Sequence, residues 1–252
     1  MADHDALFEY LLRVGDNCLI LGHRLSEWCG HAPALEEDLA LSNVALDLIG
    51  QTQLWLGFAG DVEGRGRDAD KLAYLRDAGE FRNVLLVEQP NGDFAQTLAR
   101  QFYFDAWHYL LLRELAGSRD GRIAEIAAKA VKEVRYHLER SREWVIRLGD
   151  GTEESHRRMQ DGLDDLWTYT GELFEVDDIE REIVARGIGP DPSVLREHWL
   201  ELAHATVREA TLTLPQPGWM QRGGKRGVHT EHLGFVLAEL QFLQRAYLSA
   251  TW

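Results

Sequence analysis

Residues 121–149 show the pattern of one long helix with a single inward face. Small and apolar side chains recur there at three- and four-residue steps, which places them on one side of a helix. The polar exception is His137, and Glu133 lies one turn before it, within reach of its ring. An acid and an imidazole projecting inward from a long helix are typical of metal-binding bundles. The face consists of Ala127, Ala130, Val134, His137, Ser141, Val145 and Leu148.

The rest of the chain divides into further helices separated by turns rich in glycine and proline. No segment alternates apolar and polar residues as a strand does, and no linker separates two halves. A long irregular crossover, residues 81–92, follows the second long helix, as in ferritin-like bundles. We therefore predict an all-α fold, a ferritin-like four-helix bundle core with additional peripheral helices, in one domain over residues 1–252. Predicted helices cover residues 5–29, 35–59, 71–78, 121–149, 177–186, 193–211 and 230–248, and two more begin at Asp93 and Thr152.

A di-iron centre in such a bundle needs a Glu from each of two helices and a Glu-x-x-His motif from each of the other two. This sequence lacks part of that set. Gly50 stands three residues after Asp47, where a His is needed, and Val134 stands three before His137, where a Glu is needed. We therefore predict no catalytic residues, no cofactor and no metal ligands. The polar core positions of a former metal site are predicted to be Glu27, Asp47, Asp105 and His137.

The inward acids have two interpretations. Bases such as Arg24, Arg100 or Arg135 neutralise them in the first, because an unpaired buried charge is costly. Two literal acid-x-x-His matches begin at Asp105 and Glu153, but neither has a partner motif, and ordinary packing or surface pairs explain both. The second interpretation is a divergent metal-dependent oxidase that uses Asp105, His108, Glu133 and His137.

A basic, glycine-rich loop, residues 215–227, precedes the last predicted helix. Three bases lie among its glycines, and Thr230 is placed to cap the helix that follows, so a phosphate group fits at the helix N-terminus. The predicted contact residues are Lys225 and Arg226. A surface loop or a partner contact explains the same residues equally well.

Charge and composition limit the partners and the compartment. The chain has 42 acidic and 27 basic residues, for a formal charge of −15. Nucleic acids and anionic membranes bind basic surfaces, so neither is an expected partner. The N-terminal segment has no basic region of a secretion signal, and we expect a cytoplasmic protein. Cys18 and Cys29, about three turns apart in one predicted helix, are expected to be reduced core thiols.

Large apolar residues exceed what one helical core needs. The second predicted helix is apolar nearly all round, which is typical of a buried helix, and its leucines lie on more than one face. Surplus apolar area on a folded protein usually marks an interface. We therefore predict that the chain alone forms a two-fold homodimer. The tryptophans of this surplus are Trp144, Trp167 and Trp199.

Five segments resemble the PaaC family, the structural subunits of bacterial phenylacetyl-CoA epoxidases. The resemblance extends over essentially the whole chain. The segments are RVGDNC (13–18), LSEWCGHAP (25–33), LVEQPNG (86–92), DAWH (105–108) and GGKRGVHTEHLG (223–234).

That resemblance implies a place in a multicomponent monooxygenase of aerobic phenylacetate degradation. In such complexes a related, PaaA-like subunit holds the di-iron centre, and a reductase subunit with flavin and an iron–sulfur cluster supplies electrons from NADPH. It implies that this chain is the noncatalytic structural partner of the di-iron subunit and meets the reductase only within the complex. Glu27, Asp47 and His137 then lie where the catalytic subunit has ligands. The rival hypotheses are the metal oxidase above and a CoA-binding module that uses the basic loop.

Overall fold

A computed structural model of the chain describes residues 3–216 and 218–248. Its regular secondary structure in these ranges is helical throughout, which confirms the all-α class and is consistent with a ferritin-like bundle. None of the described helices has the length and apolar composition needed to cross a membrane. The α-helices are α1 (Asp3–Ser26), α2 (Leu35–Glu63), α3 (Ala69–Tyr74), α4 (Leu85–Glu88), α5 (Phe94–Leu115), α6 (Gly121–Gly149), α7 (Glu153–Trp167), α8 (Asp178–Ala185), α9 (Pro192–Glu209), α10 (Glu231–Leu240) and α11 (Phe242–Ala246).

The chain forms two compact units. The first comprises the residues up to Pro90 and those from Arg222 onward, and so contains α1–α4, α10 and α11. The second comprises residues 91–221 and contains α5–α9. Each unit has one pair of long helices packed against each other, α1 with α2 and α5 with α6. The single domain over residues 1–252 stays a prediction.

Close approach of α1 and α2 organises the first unit. Gly15 lies against the side chains of Leu56 and Trp55, and Gly22 lies against the backbone of Ala45, so the two helices run antiparallel. A side chain at either glycine would meet the other helix at 3.3 Å or less. The glycines of α1 therefore allow the two helices to pack tightly.

Side-chain caps fix where the long helices of the second unit begin. Asp93 accepts a hydrogen bond from the Gln96 backbone N–H at 2.9 Å at the start of α5, and Thr152 caps α7 through Ser155. Asp120 does the same for α6, accepting from Ile123 at 3.1 Å. Such caps satisfy the free N–H groups of a first turn. The predicted bounds of α6, residues 121–149, are confirmed.

Some predicted elements differ from the structure. The first helix ends at Ser26, so Cys29 lies beyond it and is exposed, and the prediction of a core thiol is wrong for Cys29 while Cys18 is buried. The last predicted helix is two helices that meet at Gln241, whose buried side-chain amide donates to the carbonyl of Ala73 at 3.0 Å. A short helix, α4, lies within the segment predicted to be irregular. The predicted basic loop includes Pro217, which lies outside the described residues.

The tryptophans assigned to a surface surplus belong mainly to the interior of the second unit. Trp199 is buried, donates from Nε1 to the Tyr103 carbonyl at 3.0 Å, and packs 5.9 Å from the half-buried ring of Trp167. Trp144 is half-buried and packs edge-on to Phe94 at 5.1 Å. The prediction that these rings are free for an interface is therefore wrong for Trp199.

The second helix is not buried all round, contrary to its predicted character. One side of α2 packs in the first unit, whereas the other exposes leucines to solvent. Periodicity does not separate these faces, because both are apolar.

Candidate functional site

A buried carboxylate connects the two long helices of the second unit. Asp105 on α5 is fully buried, and both of its oxygens accept hydrogen bonds. Gln101 Nε2, one turn earlier on α5, donates to Oδ1 at 2.6 Å, and Ser141 Oγ on α6 donates to Oδ2 at 2.8 Å. The prediction that Asp105 points into the core is confirmed.

Burial dominates the electrostatics of this carboxyl. It raises the pKa of Asp105 from 3.8 to about 6, although the nearby charges of His137 and Arg140 and the hydrogen bonds from Ser141 and Gln101 act in the opposite direction. Desolvation therefore outweighs its partners. The site favours a neutral carboxylic acid more than an exposed Asp does.

Two buried histidines accompany Asp105. His137 on α6 is 1% exposed, as predicted for the inward face, and His108 on α5 is equally buried. The ring of His108 lies 5.0 Å from Phe104 and 6.1 Å from Trp107. Burial, with a smaller contribution from His137, lowers the pKa of His108 to about 3. His108 is thus a neutral imidazole packed among aromatic rings at neutral pH.

These residues do not fit a di-iron centre. Among the described residues, no group of three or more His, Cys, Asp or Glu side chains is placed to hold a metal ion. Val134, in the position of a required Glu, is fully buried and apolar, and Gly50 is exposed. Both oxygens of Asp105 accept hydrogen bonds, from the Gln101 amide and the Ser141 hydroxyl. These two donors satisfy the buried carboxyl group without a metal ion.

Two of the four predicted core positions, Glu27 and Asp47, are not part of the buried group around Asp105. Glu27 follows the end of α1 and is exposed, and it pairs with Arg24 at 2.8 Å. Asp47 is half-buried, at the boundary between the packed and the exposed sides of α2. The prediction of a core position is therefore wrong for Glu27 and only partly right for Asp47. Both belong to the first unit, whereas Asp105 and His137 belong to the second.

Of the bases predicted to neutralise the inward acids, Arg24 does pair with one of them, Glu27, whereas Arg100 and Arg135 have other partners. Arg24 donates to the Glu88 carbonyl at 2.8 Å, Arg100 donates to the Asn91 side chain at 2.6 Å, and exposed Arg135 pairs with Glu139. The bases beside Asp105 are His137 and Arg140 instead. Glu133 is half-buried.

The basic loop has a different arrangement from the predicted phosphate site. Lys225 is only 6% exposed, whereas Arg226 is exposed. The start of α10 already has an anion: the fully buried carboxylate of Glu88 accepts from the Thr230 backbone N–H at 2.7 Å and from the Thr230 hydroxyl at 2.8 Å. His229 Nδ1 lies 2.9 Å from the same carboxylate. A carboxylate of the chain thus occupies the place predicted for a phosphate.

The two side chains that hold Asp105 were not among the predicted site residues. Gln101 precedes Asp105 by four residues, the spacing at which helical side chains meet, and Ser141 belongs to the predicted inward face of α6. Both signals were present in the sequence. Asp16, which is fully buried in an ion pair with Arg76, was not predicted to have a partner either.

Comparisons with known proteins agree with the resemblance seen in the sequence. A family model described as phenylacetic acid catabolic protein matches residues 1–252. The chain is 52% identical over 246 residues to a subunit, designated C, of the 1,2-phenylacetyl-CoA epoxidase of Escherichia coli (strain K12), and the match covers 98% of this chain and 99% of that protein. With the whole length matched on both sides, this chain belongs to the family of phenylacetic acid catabolic proteins.

Proposed function

We propose that this chain is the noncatalytic structural subunit of a phenylacetyl-CoA 1,2-epoxidase in aerobic phenylacetate degradation. The observation that carries the proposal is its 52% identity, over nearly the full length, to a protein named as a subunit of that enzyme. The core chemistry supports the noncatalytic part, because Gln101 and Ser141 occupy the Asp105 carboxylate and Val134 replaces a required ligand.

The partner in this proposal is a PaaA-like di-iron subunit, with which the chain pairs in the cytoplasm. The reductase subunit acts on the complex and not on this chain alone. Without its partner, the chain forms a homodimer. An acidic chain with a formal charge of −15 has the wrong sign for a nucleic-acid or anionic-membrane partner.

The test is reconstitution with the catalytic and reductase subunits from the same organism. We expect the chain to co-purify with the catalytic subunit, and we expect NADPH-dependent consumption of phenylacetyl-CoA only when this chain is present. Absence of a complex, or full activity without the chain, would contradict the proposal.

Iron content separates the structural subunit from the metal oxidase that uses Asp105, His108, Glu133 and His137. The chain expressed alone in iron-supplemented cells is expected to contain far less than one iron per chain, while the catalytic subunit prepared alongside serves as the positive control. An Asp105→Asn variant is expected to support the same epoxidation rate in the reconstituted complex. Stoichiometric iron, or loss of activity in a folded Asp105→Asn variant, would favour the oxidase.

A CoA-binding module is the weaker alternative. Buried Lys225 and the Glu88 carboxylate at the start of α10 both count against a phosphate site there. Titration calorimetry of the isolated chain with CoA is expected to show no binding heat. Binding that disappears in an Arg226→Ala variant would revive this alternative.

A further inference from the structure

One side of α2 carries a stripe of uncharged residues, five of them exposed to solvent and two, Ser42 and Gly57, half-buried. Leu35, Leu39 and Leu46 are 72%, 58% and 66% exposed, although each is a large apolar side chain. They recur at steps of four and seven residues and so share one side of the helix. Continued along α2, the same side carries Gly50 and Gly57, and the stripe is about 33 Å long at 1.5 Å per residue. The stripe is Leu35, Leu39, Ser42, Leu46, Gly50, Gln53 and Gly57.

The two glycines of the stripe are not required by packing within the described part of the chain. Apart from the neighbouring backbone of α2 itself, a Cβ added at Gly50 or Gly57 would meet no described atom within 4 Å, whereas Gly15 and Gly22 of α1 lie tightly against α2. Glycine inside a helix is less favourable than alanine, because its backbone loses more conformational freedom on folding. No close contact with the described residues offsets that cost at Gly50 or Gly57. Close approach of another molecule would explain these glycines, because a missing side chain leaves room for a neighbouring backbone or side chain.

We propose that the stripe is the contact surface between two copies of this chain, with the two α2 helices antiparallel about a two-fold axis at Leu46. In that register Leu35 of one copy faces Gly57 of the other, and Ser42 faces Gly50. Leu46 faces its own counterpart. Larger side chains thus meet glycines on both sides of the axis, as a self-complementary two-fold interface requires. This assignment rests on the homodimer proposed above.

The order of residues along the stripe indicates that the molecule packed on it is a second copy of this chain. The leucines occupy its N-terminal half and the glycines lie in its C-terminal half, so an antiparallel copy places a larger residue opposite each glycine. No charged residue lies within the stripe, so it does not select a partner of opposite charge. Each copy carries a formal charge of −15, and the repulsion between copies is screened by salt. The dimer is therefore expected to be tighter at high salt than at low salt.

Filling the glycines tests the surface without endangering the fold. A Gly50→Leu/Gly57→Leu variant is expected to raise the dimer dissociation constant roughly 30-fold or more, because the added side chains fill the space of the facing copy. Its thermal stability measured as a monomer is expected to be unchanged or higher, since leucine favours the helix. Sedimentation over a wide concentration range measures the association, with exposed Gly121→Leu as the control. A dimer as tight as wild type in the double variant would overturn the proposal.

Disulfide crosslinking tests the register. In a Cys29→Ser background, Leu46→Cys is expected to form a covalent dimer on oxidation, because it lies on the axis and a disulfide needs Cα atoms within about 7 Å of each other. The Leu35→Cys variant alone is not expected to form a covalent dimer. A mixture of the Leu35→Cys and Gly57→Cys variants is expected to form one, because these two positions face each other in the proposed register. A wild-type monomer at all concentrations, or no crosslink at Leu46→Cys, would overturn the assignment. Pairing with the catalytic subunit is measured separately, so failure of the dimer leaves the proposed function intact.

Discussion

Asp105→Asn is expected to stabilise the protein at pH 7 by about 3 kcal/mol, although it removes a carboxylate with two hydrogen-bond partners. Burial raises the pKa of Asp105 from 3.8 to about 6, and each unit of such a shift corresponds to about 1.4 kcal/mol. The amide keeps the shape of the carboxyl. Its oxygen still accepts from Gln101, and its nitrogen can donate to Ser141 Oγ, which has the Leu138 carbonyl 3.4 Å away as an alternative acceptor.

The sign of this effect depends on pH. With the folded pKa above the unfolded value, the contribution of Asp105 to stability is complete below pH 4 and is lost as the pH rises through about 6. The advantage of Asp105→Asn is therefore expected to be near zero at pH 4 and full at pH 7. Urea unfolding of the two proteins across this range measures it. Asp150→Asn, at the exposed end of α6, controls for the loss of one charge.

His108 titrates in the opposite sense. Burial lowers the pKa of His108 from 6.5 to about 3, so its contribution is present above pH 6.5 and is lost as the pH falls toward 3. In the wild type the two groups partly offset each other between pH 4 and 6. Asp105→Asn removes one of them, and the variant is expected to lose stability more steeply on acidification. A constant difference between variant and wild type across this range would contradict the assigned environment of Asp105.

The sequence was most informative where local spacing decides the structure. Helical periodicity predicted the bounds of α6, and capping residues predicted the starts of α5 and α7 at Asp93 and Thr152. The inward positions of Asp105 and His137 followed from the same periodicity. These features depend on residues within a few turns of each other.

Predictions failed where a helix ends or where two faces look alike. The pattern that placed Glu27 inward continued past Ser26, where α1 stops, so the residue is exposed. The apolar residues of α2 gave no sign of which side packs on α1 and which stays open, and Asp47 lies at the boundary between the two sides. Burial of a helix side depends on its neighbours in space, which periodicity does not contain.

Contacts between residues that are distant in sequence also could not be predicted. Arg76 is 60 residues from Asp16, and Thr230 is 142 from Glu88, yet each pair is in contact. No local pattern connects such residues. Gln101 with Asp105 is the opposite case, because its four-residue spacing was visible.

Asp16→Asn is expected to destabilise the protein by about 3–5 kcal/mol, the reverse of the effect at Asp105, because its partner is a buried cation. Asp16 is fully buried and accepts from Arg76 Nη1 at 3.0 Å and from the Arg82 backbone N–H at 2.8 Å. The Arg76 guanidinium is 2% exposed and lies over the ring of Phe81 at 4.3 Å. Without the carboxylate charge, that guanidinium stays buried and uncompensated.

Two further variants identify the cause of this loss. Adding Arg76→Met to Asp16→Asn removes the stranded cation while the new amide still accepts from Arg82, so the double variant is expected to be more stable than Asp16→Asn alone. Glu139→Gln, in the exposed pair with Arg135, is expected to change stability by less than about 1 kcal/mol. Urea unfolding at pH 7 compares all three. If Asp16→Asn costs no more than Glu139→Gln, the buried pair does not stabilise the first unit as its geometry implies. The same Asp-to-Asn change is thus expected to have opposite signs in the two units, because burial outweighs the charges near Asp105, whereas Asp16 pairs directly with the buried Arg76 guanidinium.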